Sequence, residues 1–152
     1  MARSERLKVL AVASGGGHWV QLCRCLPAFA GHDVVCVTVR GAYASEVDCR
    51  LHVVRDATRW SPLAVAVLGL QMLWIVLRER PRIVFSTGAA PGLFGLLWGR
   101  LLGARTIWLD SVANVEEISM AGRLAGRWAH LWLTQWPALA KTDGPEYAGA
   151  VY

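Results

Sequence analysis

Leu7-Lys-Val-Leu-Ala-Val-Ala13 runs directly into Ser14-Gly-Gly-Gly-His18. An apolar run of strand length that stops at three consecutive glycines reads as a buried β-strand entering a tight turn. Trp19 to Ala30 then carries apolar residues at helical spacing and stops at Gly31. A strand, a glycine turn and a helix in that order open a βαβ unit.

The rest of the chain continues the alternation. Asp33 to Val39 is a Val-rich second strand and Leu51 to Val54 a short third. Ser61-Pro62 starts a helix, with Ser as N-cap and Pro at the first helical position, and Pro81 ends it after about Arg80. Arg82 to Ser86 is a fourth strand, followed by Thr87-Gly-Ala-Ala90 and a helix from Pro91 to near Gly103. Arg105 to Leu109 is a fifth strand, Asp110 to Asn114 its carboxyl-end loop. A helix from about Ile118 to His130 and a strand from Leu131 to Gln135 close the pattern. The expected fold class is α/β: one Rossmann-like domain over 1–152, a parallel sheet in the order 3-2-1-4-5 with helices on both faces.

Composition narrows the function. The 152 residues are 55% hydrophobic and 18% charged, with mean hydropathy +0.36, which excludes a disordered tail, a collagen-like chain or a linker. The net charge is +5, and only Lys8 and Lys141 among the 16 basic residues are not Arg. These cations are scattered, with one local cluster at Arg78, Arg80 and Arg82, so no nucleic-acid footprint is expected. Cys23, Cys25, Cys36 and Cys49 lack zinc-site spacing, and reduced thiols are expected, with no metal and no cofactor. Met1 to Arg6 leads straight into the first strand, so neither a leader nor an N-terminal anchor is expected.

The two long helices are too apolar for the outer layer of a soluble sheet. Between Arg59 and Arg78 the only polar side chains are Ser61 and Gln71, and between Pro91 and Leu102 only Arg100. The right-handed connections place both helices on one face. Ser61 to Leu77 would span about 25 Å at 1.5 Å per residue, short of a ~30 Å hydrocarbon core. The reading adopted is a monotopic element that sinks its outer face into the bilayer through Trp60, Leu70, Trp74 and Leu77. A single internal span, or a helix covered by a partner, is the alternative.

The Ser14–His18 turn and the Ser86–Gly92 turn follow strands one and four, neighbours at the topological switch point where open α/β sheets bind ligands. Each feeds a helix N-terminus, whose N–H groups and dipole favour phosphate. Gly15, Gly16, Gly17, Thr87 and Gly88 are the candidate phosphate-binding positions. His18 is the candidate general base for a sugar hydroxyl, and Asp110 a carboxylate on the same rim. The dinucleotide fingerprint fails, since Val20 stands at its last position, although Arg40 leaves NADP open. No Gly-Lys-Ser/Thr and no G-x-S-x-G occurs.

Ser14-Gly-Gly-Gly-His18, Ser86-Thr-Gly-Ala-Ala-Pro-Gly92, Trp108-Leu-Asp-Ser-Val-Ala-Asn-Val115, Ser119-Met-Ala-Gly-Arg123 and Gln135-Trp-Pro137 form one ordered set. The set resembles the anchor subunit of the two-component N-acetylglucosaminyltransferase that extends dolichyl-diphosphate sugars. It is still more similar to the bacterial counterparts of that subunit in capsular and exopolysaccharide synthesis. The resemblance implies the N-terminal half of a GT-B glycosyltransferase. The nucleotide-sugar donor, UDP-linked, would then sit on a separate subunit recruited to the cytoplasmic face of the membrane. It implies acceptor-side positions at Gly15, Gly16, Gly17, His18, Gly88, Asp110 and Ser111, and a lipid-diphosphate sugar as acceptor. It also implies a C-terminal tail, Tyr147, Val151 and Tyr152, that holds the partner. The length agrees, because 152 residues supply one of the two Rossmann-like domains of a GT-B enzyme. A non-catalytic scaffold of the same complex and a small NADP-binding oxidoreductase are the rival expectations.

Overall fold

The computed structural model describes residues 5–151. Seven strands form one sheet in the order β3-β2-β1-β4-β5-β6-β7, every adjacent pair parallel. The strands are β1 (Lys8–Val12), β2 (Asp33–Thr38), β3 (Arg50–Val53), β4 (Ile83–Ser86), β5 (Arg105–Leu109), β6 (Leu131–Thr134) and β7 (Glu146–Tyr147). The helices are α1 (Gly17–Cys25), α2 (Pro62–Glu79), α3 (Ala89–Leu101) and α4 (Met120–Ala125). The expected order 3-2-1-4-5 stands within this sheet, and β6 and β7 extend it beyond β5.

Side chains alternate across the central strands and so divide the core in two. Leu10 and Val12 of β1, Val35 and Val37 of β2 and Val84 of β4 meet α2 and α3 through Leu68, Met72 and Leu96. Ala11, Ala13, Cys36 and Phe85 point the other way, onto Trp19 and Leu22 of α1. Strands buried on both faces must be apolar at every position, which is why the first run shows no alternation. The long helices α2 and α3 pack against one another on a single face, as the handedness of their connections requires.

Several boundaries differ from the expected ones, each for a local reason. The helix expected over Trp19–Ala30 stops at Cys25 and tightens into a 3₁₀ turn at Leu26–Phe29, because Pro27 has no N–H with which to continue the ladder. The helix expected to reach His130 is only Met120–Ala125. There the chain peels away so that His130 N–H can join the Thr106 carbonyl at 2.9 Å. Conversely α3 starts at Ala89, two residues before Pro91. The two-residue strand β7 carried no periodic signal at all.

At the amino-terminal edge of the sheet Glu79, the last residue of α2, is buried among Lys8, Arg50 and His52. Arg50 donates to both carboxylate oxygens at 2.9 Å, and His52 Nε2 lies 2.8 Å from Oε1. Burial pushes this carboxyl up, but hydrogen bonds from His52, Arg50 and Lys8 outweigh it and hold the group at about 2. A carboxyl lowered on folding contributes stability above its unfolded pKa, near 4.3, and that contribution disappears as pH falls toward 2. The urea midpoint is therefore expected to fall between about pH 4.5 and pH 2. Glu79→Gln is expected to remove that acid-dependent component. At pH 7 it is expected to lower stability by at most about 3 kcal/mol, since Arg50 remains largely solvated. Urea titrations of both proteins across this range check it.

Candidate functional site

The carboxyl ends of β1 and β4 lie side by side, with Val12 paired to Ser86. The turns that leave them therefore face each other on one rim. Gly16 caps α1 with φ +66°, a conformation that suits glycine. Intrahelical bonding starts with Val20 N–H to the Gly16 carbonyl, so the N–H groups of Gly17, His18 and Trp19 precede the ladder. Gly16 N–H itself donates to the Tyr43 hydroxyl at 3.0 Å. No atom lies within 4 Å of a Cβ built at Gly17, which leaves the mouth of the turn open.

His18 is clamped reciprocally by Thr87. Its Nδ1 lies 3.0 Å from the Thr87 carbonyl oxygen, and the Thr87 hydroxyl donates to the His18 carbonyl at 2.6 Å. A carbonyl can only accept, so Nδ1 carries a proton, and in the neutral ring Nε2 is the lone-pair nitrogen. Gly88 makes room for the ring: a Cβ there would run into His18 Nδ1, and its φ is +143°. Ala89, the first residue of α3, follows at φ +66°, unusual for a residue with a side chain. The expected phosphate-binding residues Gly15, Gly16, Gly17, Thr87 and Gly88 thus stand on one rim with His18. There Thr87 spends its hydroxyl proton on the backbone of His18.

Asp110 and Ser111 reach the same rim but turn inward. Asp110 is buried and accepts from Trp108 Nε1 at 3.1 Å, Asn114 Nδ2 at 3.0 Å, Ser119 N–H at 3.0 Å and Ser119 Oγ at 2.6 Å. Its carboxylate fixes the loop between β5 and α4, whose N-cap is Ser119. Ser111 accepts from Gln21 Nε2 at 3.2 Å, and Gln21 in turn accepts from Gln135 Nε2 at 2.5 Å. This buried pair of amides ties α1 to the loops after β5 and β6.

Three contributors escaped the sequence reading. The segment Gly41–Glu46, a 3₁₀ turn, forms the outer wall of the glycine turn. Tyr43 stacks on Trp19 at 4.8 Å and 7°, and Glu46 accepts from the Trp19 indole at 2.8 Å. The third is the Gln21–Gln135 pair, whose one signal is an amide beside Leu22 on the inner face of an amphipathic helix. His32 and His130 accept or share backbone bonds with Leu7 and Thr106, in structural roles. Of the tail residues, Tyr147 lies on the edge strand β7, and Val151 N–H donates to Gln135 Oε1 at 2.7 Å. Tyr152 lies outside the described residues. Among the described residues no group of His, Cys, Asp and Glu has the geometry of a metal site.

The expected bilayer-facing residues are all on the surface: Trp60 is 79%, Leu70 66%, Trp74 55% and Leu77 51% exposed. Leu63, Leu101 and Leu102 are exposed as well. By length and composition α2 could cross a membrane. Arg59 sits over Trp60 at 4.4 Å and Arg78 over Trp74 at 5.2 Å, so cations flank the apolar surface at both ends.

No protein-family model matches the chain. The chain is 25% identical over 166 aligned residues to the UDP-N-acetylglucosamine transferase subunit ALG14 of Eremothecium gossypii, covering 88% of this chain and 74% of that protein. Its fold matches MurG of Acinetobacter baumannii with a TM-score of 0.78 at 13% identity, over 96% of this chain and 47% of MurG. UDP-N-acetylglucosamine 2-epimerase from Rickettsia bellii matches with a TM-score of 0.71 at 11% identity, over 96% of this chain and 45% of the epimerase. The chain thus spans about half the length of these two structures, and at such identities the likeness speaks to fold alone. The Rossmann-like fold, equivalent to the N-terminal half of a GT-B glycosyltransferase, is borne out. The resemblance read from the motifs is borne out by the alignment with ALG14.

Two glycines of this rim are expected to respond oppositely to one methyl group. Gly88→Ala forces a Cβ into the His18 ring at an unfavourable φ and is expected to cost more than about 2 kcal/mol. Gly17→Ala meets nothing and is expected to stay within about 0.5 kcal/mol of the wild type. Thermal unfolding of both variants measures the contrast.

Proposed function

We propose that this chain is the acceptor-side subunit of a two-component glycosyltransferase. In this reading N-acetylglucosamine passes from a UDP-sugar to a lipid-diphosphate-linked acceptor in polysaccharide or glycolipid assembly. The observation that carries it is the His18–Thr87 clamp. It fixes Nδ1 of the imidazole on a backbone carbonyl and leaves Nε2 as the ring nitrogen to take a proton, at the N-terminus of α1 and between the turns after β1 and β4. The alignment with ALG14, a transferase subunit by name, supports the same reading.

His18 Nε2 takes the proton of the acceptor hydroxyl as that oxygen attacks the anomeric carbon of the donor sugar. The new glycosidic C–O bond forms as the bond to the UDP oxygen breaks, and UDP leaves with the electron pair, inverting the anomeric centre. Gly15 and Gly17 offer backbone N–H groups to the acceptor diphosphate, Gly16 and Gly88, whose N–H groups donate to Tyr43 and Ser86, shape the two turns around it, and Thr87, Asp110 and Ser111 position the surrounding loops. The donor is bound by a separate subunit that docks along the tail residues Tyr147, Val151 and Tyr152. Trp60, Leu70, Trp74 and Leu77 hold the chain on the cytoplasmic face of the membrane as a monotopic element.

Membranes containing this chain and its donor-binding partner are expected to move labelled sugar from UDP-N-acetylglucosamine into lipid, and either protein alone is not. His18→Ala is expected to lower transfer by 10²-fold or more, the usual loss for a positioned base, with the two subunits still co-purifying. Full activity in that variant would leave the chain a scaffold, and transfer by this chain alone would overturn the division of labour.

A further inference from the structure

The protruding stripe of α2 and the space beside it meet at a single residue, Leu70. Leu63, Trp74 and Leu77 project outward, whereas Ala66, Gly69 and Leu70 of the same helix wall a groove of about 810 Å3. Leu93 and Trp98 of α3 stand opposite, and Ala121 of α4 closes the third side. Small residues create the space, since Ala66, Gly69 and Ala121 carry at most a methyl group where a larger side chain would fill it. At the lower end the Trp98 indole N–H donates to the Gly69 carbonyl at 3.0 Å, bridging α2 and α3 and giving the groove a floor.

The two ends differ in kind. The upper end reaches Ala90, two residues beyond the glycine against which the His18 ring packs. From Ala90 to Trp98 the groove follows α3 for about 12 Å at 1.5 Å per residue. Arg59 also lines the groove, just ahead of the first turn of α2. Its guanidinium lies over Trp60 and has no carboxylate partner among the described residues. An apolar slot with a cation at the end that abuts a phosphate-type turn complements an anionic amphiphile. A flat bilayer surface would meet the outer stripe rather than the recess behind it.

We infer that this groove seats the first stretch of the acceptor's hydrocarbon chain, with the diphosphate at the rim between Arg59 and the Gly88 turn. The assignment rests on the acceptor-side reading above and gives it a specificity: the site grips the lipid tail next to the diphosphate as well as the sugar.

The probes are geranylgeranyl diphosphate and inorganic pyrophosphate, bound to the full chain and followed by equilibrium dialysis, with phosphatidylglycerol vesicles as a third arm. Geranylgeranyl diphosphate is expected to bind at least tenfold tighter than pyrophosphate. Ala66→Trp and Ala121→Trp fill the groove from opposite walls, and each is expected to shrink that gain below twofold. Leu102→Ser, beyond the far end of α3, is expected to keep it. The assignment is overturned if the two diphosphates bind alike, or if both Trp variants keep the full gain. It is also overturned if the gain is lost in Leu102→Ser in step with vesicle binding, which would make the surface a bilayer contact only. A chain-dependent gain in a protein that transfers no sugar with its donor subunit would overturn the proposed function and leave the groove assignment standing.

Discussion

The reciprocal pair between His18 and Thr87 is the contact on which the rim of this domain depends. It joins the turn after β1 to the turn after β4, and hence α1 on one face of the sheet to α3 on the other. Without it the two turns would be independent surface loops over a parallel sheet. With it, one imidazole is fixed in tautomer and direction by a backbone carbonyl, and the backbone around it is fixed by a hydroxyl. The absence of a side chain at Gly88 permits the approach. The residues at φ +66° on either side, Gly16 and Ala89, show how far the chain departs from ordinary geometry to make it.

Further polar contacts extend this constraint. Tyr43 and Glu46 brace the start of α1 from outside, through the Gly16 N–H and the Trp19 indole. Gln21 and Gln135 brace it from inside and link it to the Asp110 loop and to Val151. Buried amides held on both their nitrogen and their oxygen specify one arrangement, since any slip would strand a polar atom in the core. Asp110 works in the same way: four donors converge on one carboxylate, so the loop after β5 has a single low-energy course.

Much of the fold was legible because its signals are local or periodic. The glycine turn after an apolar run, Ser61-Pro62 before a long helix, and Pro81 after it each act through their own backbone chemistry, and the sheet order follows from handedness. His18 and Gly88 could be named because each stands at a junction where a strand has just ended and a helix begins, the place where a parallel sheet binds its ligand. What stayed hidden is non-local. Tyr43 is 27 residues from the Gly16 N–H it accepts from, and Gln135 is 114 from Gln21. Neither lies in a periodic pattern that would mark it. Likewise β7 exists because β6 offers an edge to pair with, a property of the assembled sheet rather than of Glu146-Tyr147.

The packing of α2 also limits how it can serve a membrane. Its inner side supplies Leu68, Met72, Ile75 and Val76 to the main core, and its last residue, Glu79, is buried among Lys8, Arg50 and His52. To cross a bilayer the helix would have to withdraw those four apolar side chains from the sheet and expose β1, β2 and β4. It would also have to carry Glu79 away from its three partners, leaving a charge to be solvated or neutralised. A helix sunk edge-on, with Trp60, Leu70, Trp74 and Leu77 outward, needs none of these changes. It keeps the crossover between β3 and β4 intact and leaves the rim that carries His18 undisturbed. The apolar composition that first made α2 look like a span therefore reflects a helix with two apolar sides. One side is committed to the core, and the other is exposed.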